Sequence, residues 1–554
     1  MSSSRLKPVL RFLPRKRDYR ELPKSWPRDL LAGISVGIVA LPLALAFAIS
    51  SGVDAAAGLV TAVIAGFVAA VFGGSGVQVS GPTGAMVVVL APIAASYGPQ
   101  AIPLVAVMAG IVVVVAGFLR LGRTVSFIPW PVIEGFTLGI AVIIFLQQVP
   151  SALGSQAGES RNAFVAAVQS FDQVSTPDVW WSLACAAAVA VIMVLVPRLH
   201  SMIPGSIVAI IAVTLLVEPL NLPLTRIGEL PESLPAPSIP LFDPSVVLSL
   251  MGPAVTVAML AAIESLLSAR VASNLSDAGA YDGDRELVGQ GLASIASGFF
   301  GGMPATGAIA RTAVSIRSGA RTRAAAAIHA LFLAAVVYLA SDVVGRIPLV
   351  ALSGVLMVTA VNMVDRRMAR KVIAVSRTDA LIFGVTALVT VSVDLIIAVG
   401  LGIAVTAFFA LRALSRMATI TREDLPAEPE PGDDRIALLR IEGALFFGVG
   451  DRILSYVARL DEVDVVILRM SQLGMLDSSG VRALVEVVTV LERRGITVLF
   501  KGIQPRHRRL VDRGGVVGSL RSRNHLLMRM DDAVEHARYH VRLASEANSR
   551  ASIG

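Results

Sequence analysis

The stretch "VSGPTGAMVVVLAPI", residues 79–93, places a serine, two glycines, a proline and a threonine directly before an apolar run that otherwise resembles a membrane helix. A second stretch, "GGMPATGAIARTAVSI", residues 301–316, repeats the order of Pro, Thr-Gly-Ala and a short apolar segment. The two triplets begin at Thr83 and Thr306, 223 positions apart, which is too far for a local repeat. The two stretches therefore suggest two copies of one structural unit.

The composition indicates the environment of the chain. It has 554 residues, 55% of them hydrophobic and 16% charged, and a mean hydropathy of +0.73, which is far more apolar than a soluble domain. A membrane span needs about 20 mainly apolar residues, and such segments run with short breaks from about Leu30 to about Leu414. The sequence therefore predicts a polytopic α-helical membrane protein.

We predict fourteen membrane segments, arranged as seven plus seven. The first repeat, 28–217, contains segments 28–48, 56–74, 82–96, 103–119, 127–148, 178–197 and 204–217. The second repeat, 246–415, contains segments 246–272, 286–301, 306–318, 322–341, 347–364, 378–397 and 398–415. In each repeat the third segment is short and follows the Pro/Thr-Gly-Ala break, and the odd number of spans inverts the second repeat. Interrupted segments at corresponding places in two inverted halves indicate the binding site of a transporter.

Positive charges set the orientation of the chain. Basic residues from Arg5 to Lys24 precede the first span and hold the N-terminus in the cytoplasm by the positive-inside rule. An even number of spans returns the C-terminus to the same side, so we expect a multi-pass protein of the cell inner (plasma) membrane with both termini cytoplasmic. The net charge of +8 includes this basic run before the first span, which the positive-inside rule explains, and we do not expect a nucleic-acid partner.

The use of cysteine and histidine predicts neither a disulfide nor a metal. The single Cys185 lies inside an apolar segment, which excludes a disulfide framework and a thiol metal site. Four of the six histidines fall in the polar C-terminal part, and we interpret their spacing as lacking the pattern of metal ligands. We therefore expect no cofactor and no enzymatic chemistry.

The character of the sequence changes after the last span. We divide the chain into a basic N-terminus, a transport domain, a linker, a soluble domain and a tail, at 1–27, 28–420, 421–434, 435–545 and 546–554. The linker, "TREDLPAEPEPGDD", is acidic and rich in proline. After it, "RIALLRIEGALFFG", "VDVVILRM" and "ITVLFKGI" predict strands, and 480–494 and 531–544 predict helices. The soluble domain is therefore a small α/β domain.

The two breaks carry the predicted chemistry. A helix that begins inside the membrane leaves its first N–H groups without water, and its dipole leaves positive potential at that end. Two such ends facing each other would form an anion site at the bilayer midplane, with glycines that allow close approach and threonine hydroxyls as ligands or caps. The substrate-binding candidates are Ser80, Thr83, Gly84, Ala85, Thr306, Gly307 and Ala308. The alternative is that small residues only permit tight helix packing.

Charged residues inside spans are rare, and each suggests a function. Glu264, in "MLAAIESLLSARVAS", lies mid-segment with Ser268 one turn later on the same face, and we assign both to ion coupling. Arg311 follows Gly307 by four residues. Side chains lean toward the N-terminus of their helix, so we expect the Arg311 guanidinium to point at the anion as a substrate-binding group. The alternative is a structural Glu264–Arg311 salt bridge, and a pair that opens for substrate would combine both roles.

The first span contains a proline, in "ALPLALAFAIS". Pro42 predicts a break in this span, through which the backbone would line the site, and an ordinary kink is the alternative. We include Pro42 and Ala44 among the substrate-binding candidates.

Taken together, these sequences resemble a known family. Both half-helix motifs, "LPLALAFAIS", "GQGLASIASGFFGGMPATGAIARTA" and the C-terminal domain follow one another over nearly the whole chain and are similar to the sulfate permease (SulP) family of anion transporters, bacterial relatives of the prestin-type exchangers. The resemblance implies a seven-plus-seven inverted-repeat fold with core and gate domains, elevator-type movement, a homodimer and a cytoplasmic STAS domain. It also implies secondary active transport of a small anion: sulfate, bicarbonate or a dicarboxylate.

The resemblance also bears on the co-ion. For sodium-coupled bicarbonate members we expect Asp at the position of Glu264 and Thr at that of Ile309, so this chain resembles the proton-coupled or exchanging members instead. We therefore expect symport of the anion with H⁺. Sodium-coupled bicarbonate symport, anion exchange and a passive channel on the same fold are the alternatives. In a signalling scaffold the spans would only anchor the C-terminal domain, and the two half-helices and Glu264 argue against that.

The C-terminal domain has a candidate site of its own. In "MLDSSGVRAL", residues 475–484, the Asp-Ser-Ser-Gly loop resembles the loop that is phosphorylated in anti-sigma-factor antagonists of this fold, and Ser478 is the matching residue. The resemblance implies regulation at Ser478. The alternative is that Asp477 or Ser478 only caps the following helix.

Overall fold

The computed structural model describes most of the chain. The described residues are 11–123, 129–155, 160, 162–174, 178–199, 204–220, 222–230, 233–240, 244–276, 279–392, 395–416, 419–445, 456 and 462–551. The chain separates into two compact units, Met1–Ala404 and Val405–Gly554, and each is described by itself.

Seven helices in the first half of the chain overlap the seven predicted segments. They are α1 (Leu22–Ser50), α2 (Ala55–Phe72), α3 (Gly84–Tyr97), α4 (Ala101–Phe118), α5 (Trp130–Ala152), α6 (Asp178–Leu199) and α7 (Gly205–Val217). Helix α1 begins before the predicted residue 28 because a proline fits the first turn of a helix, where its missing N–H has no intrahelical acceptor. The first half therefore has the predicted architecture.

Seven helices in the second half overlap the predicted second repeat. They are α8 (Pro244–Leu275), α9 (Gly283–Phe299), α10 (Ile309–Arg317), α11 (Ala324–Gly345), α12 (Leu349–Met363), α13 (Arg377–Ser392) and α14 (Leu395–Arg416). Among the described residues of the membrane unit, two helices were not predicted: Ala163–Gln169, between α5 and α6, and the basic amphipathic helix Arg366–Val375. Both are short, and neither has the apolar run that identifies a span.

The helix contacts repeat with the symmetry expected of two inverted copies. Helix α1 packs against α11, and α8, its counterpart in the second repeat, packs against α4. In the same way α4 packs against α9, and α11 packs against α2. We call α1–α4 with α8–α11 the core group. The remaining spans form the gate group, in which α5 packs against α12 and α13. The seven-plus-seven arrangement is therefore confirmed by contacts between the copies.

The third helix of each copy is shorter than a membrane span. Helix α3 has 14 residues and α10 has 9, or about 21 and 14 Å at 1.5 Å per residue. The hydrocarbon core of a bilayer is about 30 Å thick. By length and composition, eight described helices are able to cross a membrane, while α3 and α7 are apolar but shorter. Helices α3 and α10 are therefore half-helices.

The predicted break at Pro42 is wrong. Helix α1 runs through Pro42 without interruption, because neighbouring helices and local adjustments tolerate a proline inside a membrane helix. Ala44 is fully buried, and its carbonyl oxygen lies 2.1 Å from the place where a Cβ on Gly58 would stand. At this level α1 therefore packs backbone to backbone against α2.

The C-terminal unit contains a mostly parallel sheet. Its strands are β3 (Thr419–Glu423), β4 (Ile436–Leu445), β5 (Val465–Arg469), β6 (Leu473–Leu476), β7 (Thr497–Lys501) and β8 (Leu526–Leu527). The order is β3-β4-β5-β7-β8, β6 pairs with β4, and only β3 runs antiparallel to its neighbour. Strands β1 (Ser80–Gly81) and β2 (Thr306–Gly307) belong to the membrane unit.

Helices cover both faces of this sheet. Helix α15 (Ser478–Arg493) and helix α16 (Pro505–Arg513) pack on one face, around Leu439, Leu484 and Phe500. Helix α17 (Met530–Ala551) packs on the other, where its residues Ala533, Val534, Ala537 and Val541 meet Leu438, Ile467 and Leu499. The central strands β4, β5 and β7 are therefore buried on both faces, as the continuous apolar runs in their sequences indicate.

Our interpretation of the C-terminal histidines is wrong. His536 and His540 are four residues apart on α17 and so share one face of that helix. His525, which precedes β8, has its ring centroid 5.5 Å from that of His536 and 5.1 Å from that of His540. The three rings therefore form a cluster, for which the spacing of His536 and His540 is the sequence signal.

Candidate functional site

The two breaks in the membrane unit meet as a two-stranded antiparallel ladder. Strand β1 (Ser80–Gly81) pairs with strand β2 (Thr306–Gly307), with Ser80 opposite Gly307 and Gly81 opposite Thr306. Just beyond the pair, the amide of Ala308 donates to the carbonyl of Val79 over 2.8 Å. Helices α3 and α10 begin directly after these strands, so their N-terminal ends lie on either side of one small region.

Glu264 from α8 joins the two breaks. The hydroxyl of Thr83 donates to its Oε2 over 2.8 Å, and the hydroxyl of Thr306 donates to the same oxygen over 2.7 Å. The two threonine oxygens are 3.1 Å apart. Thr306 is fully buried, whereas Glu264 is partly exposed. The structure therefore brings together three of the predicted residues, with both threonines bound to the carboxylate of Glu264.

The threonines do not cap their helices. Thr83 is the N-cap residue of α3, but its side chain accepts no hydrogen bond from that helix. The N-cap residue of α10 is not Thr306 but Ala308, which has no side-chain acceptor. The first amides of a helix have no partner within it. The positive ends of α3 and α10 thus keep their capacity to bind an anion.

Arg311 contacts the first break from the second half-helix. Its Nη2 donates to the carbonyl of Pro82, and its Nη1 lies 2.8 Å from where a Cβ on Gly81 would stand. Arg311 is 2% exposed, and within the described chain its buried Nη1 has no hydrogen-bond partner. An unpaired buried donor costs about 1–3 kcal/mol, and a charged one costs more, so an anion at Nη1 would satisfy a group that the protein leaves unsatisfied.

The predicted alternative, a salt bridge between Glu264 and Arg311, is not formed. Both residues lie in the described part of the chain, and no ion pair within 4.0 Å joins them. Glu264 is held by hydroxyls and Arg311 by a carbonyl, so the two opposite charges face the same region separately.

Ser268 lies one helical turn after Glu264 on α8. It is fully buried, and its hydroxyl is 3.3 Å from that of Thr312 on α10. Thr312 in turn accepts a hydrogen bond of 3.0 Å from the amide of Val79. In this structure Ser268 connects α8 to the second half-helix.

Gly84 and Ala85 form the buried start of α3. A Cβ on Gly84 would stand 2.4 Å from Cδ1 of Ile144 on α5 and 3.2 Å from Cε1 of Phe47 on α1. Ala85 is 1% exposed. The absence of a side chain at Gly84 therefore lets the first half-helix lie against both the gate group and α1.

Several polar residues of the site were not predicted. Ser265 accepts from the amide of Gly307 over 3.0 Å, and Gln78 donates from Nε2 to the carbonyl of Ser265 over 3.3 Å. Gln290 donates to the hydroxyl of Ser80. The available signals were the position of Ser265 beside Glu264 and that of Gln78 two residues before Ser80. These residues hold the two breaks in register.

Comparison with known proteins identifies the family. The sequence pattern of the Sulfate permease family matches residues 27–386. The chain belongs to the sulfate permease family. The STAS domain pattern matches residues 430–533, so the C-terminal unit is a STAS domain.

Relatives are similar over most of their length. The putative sulfate transporter YvdB of Bacillus subtilis (strain 168) is 34% identical over 518 residues, which cover 92% of this chain and 97% of the relative. The bicarbonate transporter BicA of Picosynechococcus sp. is 30% identical over 491 residues, covering 84% of this chain and 86% of the relative. The chain is therefore a membrane transporter of small anions and not an enzyme.

Solved structures agree with the fold. The transmembrane domain of a cyanobacterial BicA is 33% identical and covers 68% of this chain and 97% of that one, with a TM-score of 0.61. The murine Slc26a9 anion transporter, in the inward-facing state, covers 96% of this chain and 94% of its own, with a TM-score of 0.82 at 18% identity. At that identity the second likeness concerns the fold alone.

The geometry of Arg311 makes a prediction about anion binding. In Arg311→Lys the charge remains, but the planar fork that spans the Pro82 carbonyl and a ligand is lost. We expect at least about tenfold weaker binding of whichever anion stabilises the wild-type protein in a thermal-shift screen of sulfate, bicarbonate, fumarate, succinate, nitrate and chloride. Arg317→Lys, at the exposed end of the same helix, is the matched control. Equal shifts in Arg311→Lys and wild type would contradict the assignment.

Proposed function

We propose that this chain carries a small anion together with a proton, and that Glu264 is the group that takes up the proton. One observation carries the proposal: the Glu264 carboxylate accepts hydrogen bonds from both Thr83 and Thr306, at the point where the two half-helices begin. An acidic group therefore lies where the positive helix ends favour an anion.

A substrate anion and an ionised Glu264 would compete for the same positive region. Two unit charges 5 Å apart repel by about 3 kcal/mol at an effective dielectric of 20. A proton on Glu264 removes this repulsion, so binding of the anion and binding of the proton favour each other. Reciprocal coupling of this kind is what symport requires.

The threonines provide a second link between proton and anion. A hydroxyl has one proton to donate, and here the hydroxyls of Thr83 and Thr306 both donate to Glu264. A protonated Glu264 no longer needs both donors, and a released hydroxyl is then able to donate to the anion. Thr83, Thr306, the first amides of α3 and α10, and Nη1 of Arg311 would together surround the substrate.

The substrate class follows from these donors and from the relatives. The donors and the arginine suit an oxyanion, and the similar proteins are named as transporters of sulfate and of bicarbonate. We propose sulfate, bicarbonate or a dicarboxylate, with Gly84, Ala85, Gly307 and Ala308 as the backbone wall of the site, Ser80 in the adjoining strand, and Pro42, Ala44 and Ser268 as supporting residues from α1 and α8.

Proton coupling is tested in proteoliposomes with radiolabelled sulfate, whose charge is constant near neutral pH. An inward proton gradient should drive concentrative uptake of sulfate by the wild type. In Glu264→Gln the stimulation of uptake by this gradient should be lower by about 5- to 150-fold, the usual range of a coupling between two sites. Glu229→Gln, an exposed carboxylate in an outer loop, should behave as wild type.

Two results would contradict proton coupling. One is wild-type uptake that requires sodium and ignores the proton gradient, which would favour the sodium-coupled alternative. The other is a Glu264→Gln protein that still concentrates sulfate along the proton gradient. Retained sulfate binding by Glu264→Gln in a thermal-shift assay distinguishes loss of coupling from loss of the site.

We also propose an elevator mechanism in a homodimer, in the plasma membrane with both termini cytoplasmic. The core group carries both half-helices, and Gly84 lies between Phe47 of this group and Ile144 of the gate group. Cross-linking Phe47→Cys to Ile144→Cys, in a Cys185→Ser background, should stop transport reversibly, whereas transport by the cross-linked protein would contradict the movement.

The dimer and the topology have tests of their own. A monomeric mass in detergent would contradict the dimer, and protease access to the C-terminal tail from the outside would contradict the topology.

Ser478 is a proposed regulatory site. It is exposed at the first turn of α15, whereas Asp477 caps that helix by accepting from the amide of Gly480 over 2.8 Å. The capping role is therefore filled by Asp477, and the Ser478 hydroxyl is accessible to a kinase.

A phosphate at Ser478 would add negative charge at a helix N-terminus, where it is stabilised. Ser478→Asp places a negative charge at the N-terminal end of α15, where the helix dipole stabilises it. If this loop regulates transport, the rate of anion uptake should change about twofold or more. The neighbouring exposed Ser479→Asp is the matched control. Equal uptake by Ser478→Asp and wild type would count against regulation through this loop.

A further inference from the structure

Three histidines of the STAS domain converge at the edge of its sheet. His525 lies directly before the edge strand β8, and His536 and His540 lie on α17. We call them the histidine cluster. One ring nitrogen from each histidine lies within 4.8 Å of the other two, and the ring centroids of His536 and His540 are 4.9 Å apart.

The rings do not stack on one another. Their planes are inclined by 67°, 85° and 79° in the three pairs. Edge-to-face contact is also an ordinary packing of rings, so it is the distances between the ring nitrogens that show their convergence. His525 is 2% exposed, and the two helical histidines are partly exposed, so the cluster is closed on one side and open on the other.

The cluster leaves buried nitrogens without partners. Among the described residues, Nδ1 of His525, Nε2 of His536 and Nε2 of His540 are buried and accept or donate no hydrogen bond. A buried polar atom without a partner has lost the hydrogen bonds that water would give it, which is unfavourable. Three of them in one place are therefore unusual for a group of residues that serves packing alone.

We propose that the histidine cluster binds one divalent transition-metal ion of the Zn²⁺ class. Three imidazole nitrogens form the ligand set of open tetrahedral zinc sites, in which water takes the fourth position. The cluster offers no carboxylate, so it does not suit Mg²⁺ or Ca²⁺, which prefer oxygen ligands.

The distances fit a site that closes around its ion. Zinc–nitrogen bonds of 2.0–2.1 Å place tetrahedral ligands about 3.4 Å apart, so nitrogens that now lie within 4.8 Å of one another must approach by up to about 1.4 Å. The side chains of His536 and His540 are partly exposed on the helix surface, where rotation of χ1 and χ2 is possible. The binding of the ion thus requires movement of side chains only.

The charges around the cluster are compatible with a cation. Burial, with His540 and His536 nearby, lowers the pKa of His525 to about 4, and burial with the neighbouring His536 lowers the pKa of His540. Neutral imidazole is the form that binds metals. Arg521 faces the same region, but it forms a salt bridge with Glu492, which offsets its charge.

Binding of the ion would link helix α17 to the edge of the sheet. His525 is attached to the edge strand, whereas His536 and His540 belong to α17, which covers one face of the sheet. An ion shared between them would tie this helix to β8. The site would thus make the packing of the STAS domain depend on metal supply.

The test uses the full-length protein in detergent, purified without a polyhistidine tag and stripped with EDTA. Titration with Co²⁺ should produce the visible absorption of a tetrahedral site, saturating at one ion per chain, and Zn²⁺ should abolish it. The double variant His536→Ala/His540→Ala should lose this absorption, and His540→Gln, which keeps a polar side chain, should bind about tenfold more weakly or worse. Glu535→Ala, exposed on the same helix, is the matched control.

Two outcomes would overturn the proposal: a wild-type protein with no saturable Co²⁺ absorption, and a double variant that keeps it. Thermal unfolding of each variant shows whether a lost signal reflects a lost fold, and His540→Gln provides the answer if the double variant is unfolded.

Discussion

The membrane unit depends on the pairing of two broken backbones. Backbone N–H and C=O groups inside a bilayer must be satisfied by the protein, because lipid offers no partner. Residues 80–83 and 304–308 leave the helical conformation in the interior of the unit, and the antiparallel pairing of Ser80 with Gly307 and of Gly81 with Thr306 satisfies part of each break with the other. Each break thus supplies backbone partners to the other, which is a physical reason for the motif to occur twice.

This pairing also determines the electrostatics of the site. Two helices that begin on either side of a short ladder bring their positive ends together, and two positive ends repel unless negative charge lies between them. Glu264 provides a negative charge when the site is empty. Under the proposed function, a transported anion would provide it when bound there. In the proposed mechanism a carboxylate and a substrate exchange roles at this place, and a proton bound by the carboxylate would neutralise the charge that the substrate brings.

The sequence predicted those parts of the site that have a strong local signal. Thr83 and Thr306 follow prolines before apolar runs, and Glu264 is a charge inside a span, so each is a polar residue in an otherwise apolar stretch. Ser265 and Gln78 were missed because neutral polar residues are common in membrane helices and their role depends on a contact with a distant segment. Pro42 gave a misleading signal because neighbouring helices, which local sequence does not show, keep α1 continuous.

The two halves of the site are related by symmetry in their backbones but not in their charges. Arg311 is on α10, and α3 has no charged residue from Gly84 to Tyr97. Glu264 is on α8, and its counterpart α1 has no charged residue between Asp29 and its end at Ser50. The second repeat thus supplies both charges, while the first supplies the carbonyl of Pro82 that holds Arg311. An anion held by Arg311 would therefore act on the first repeat through this carbonyl, and a single ligand is sufficient to join the two halves.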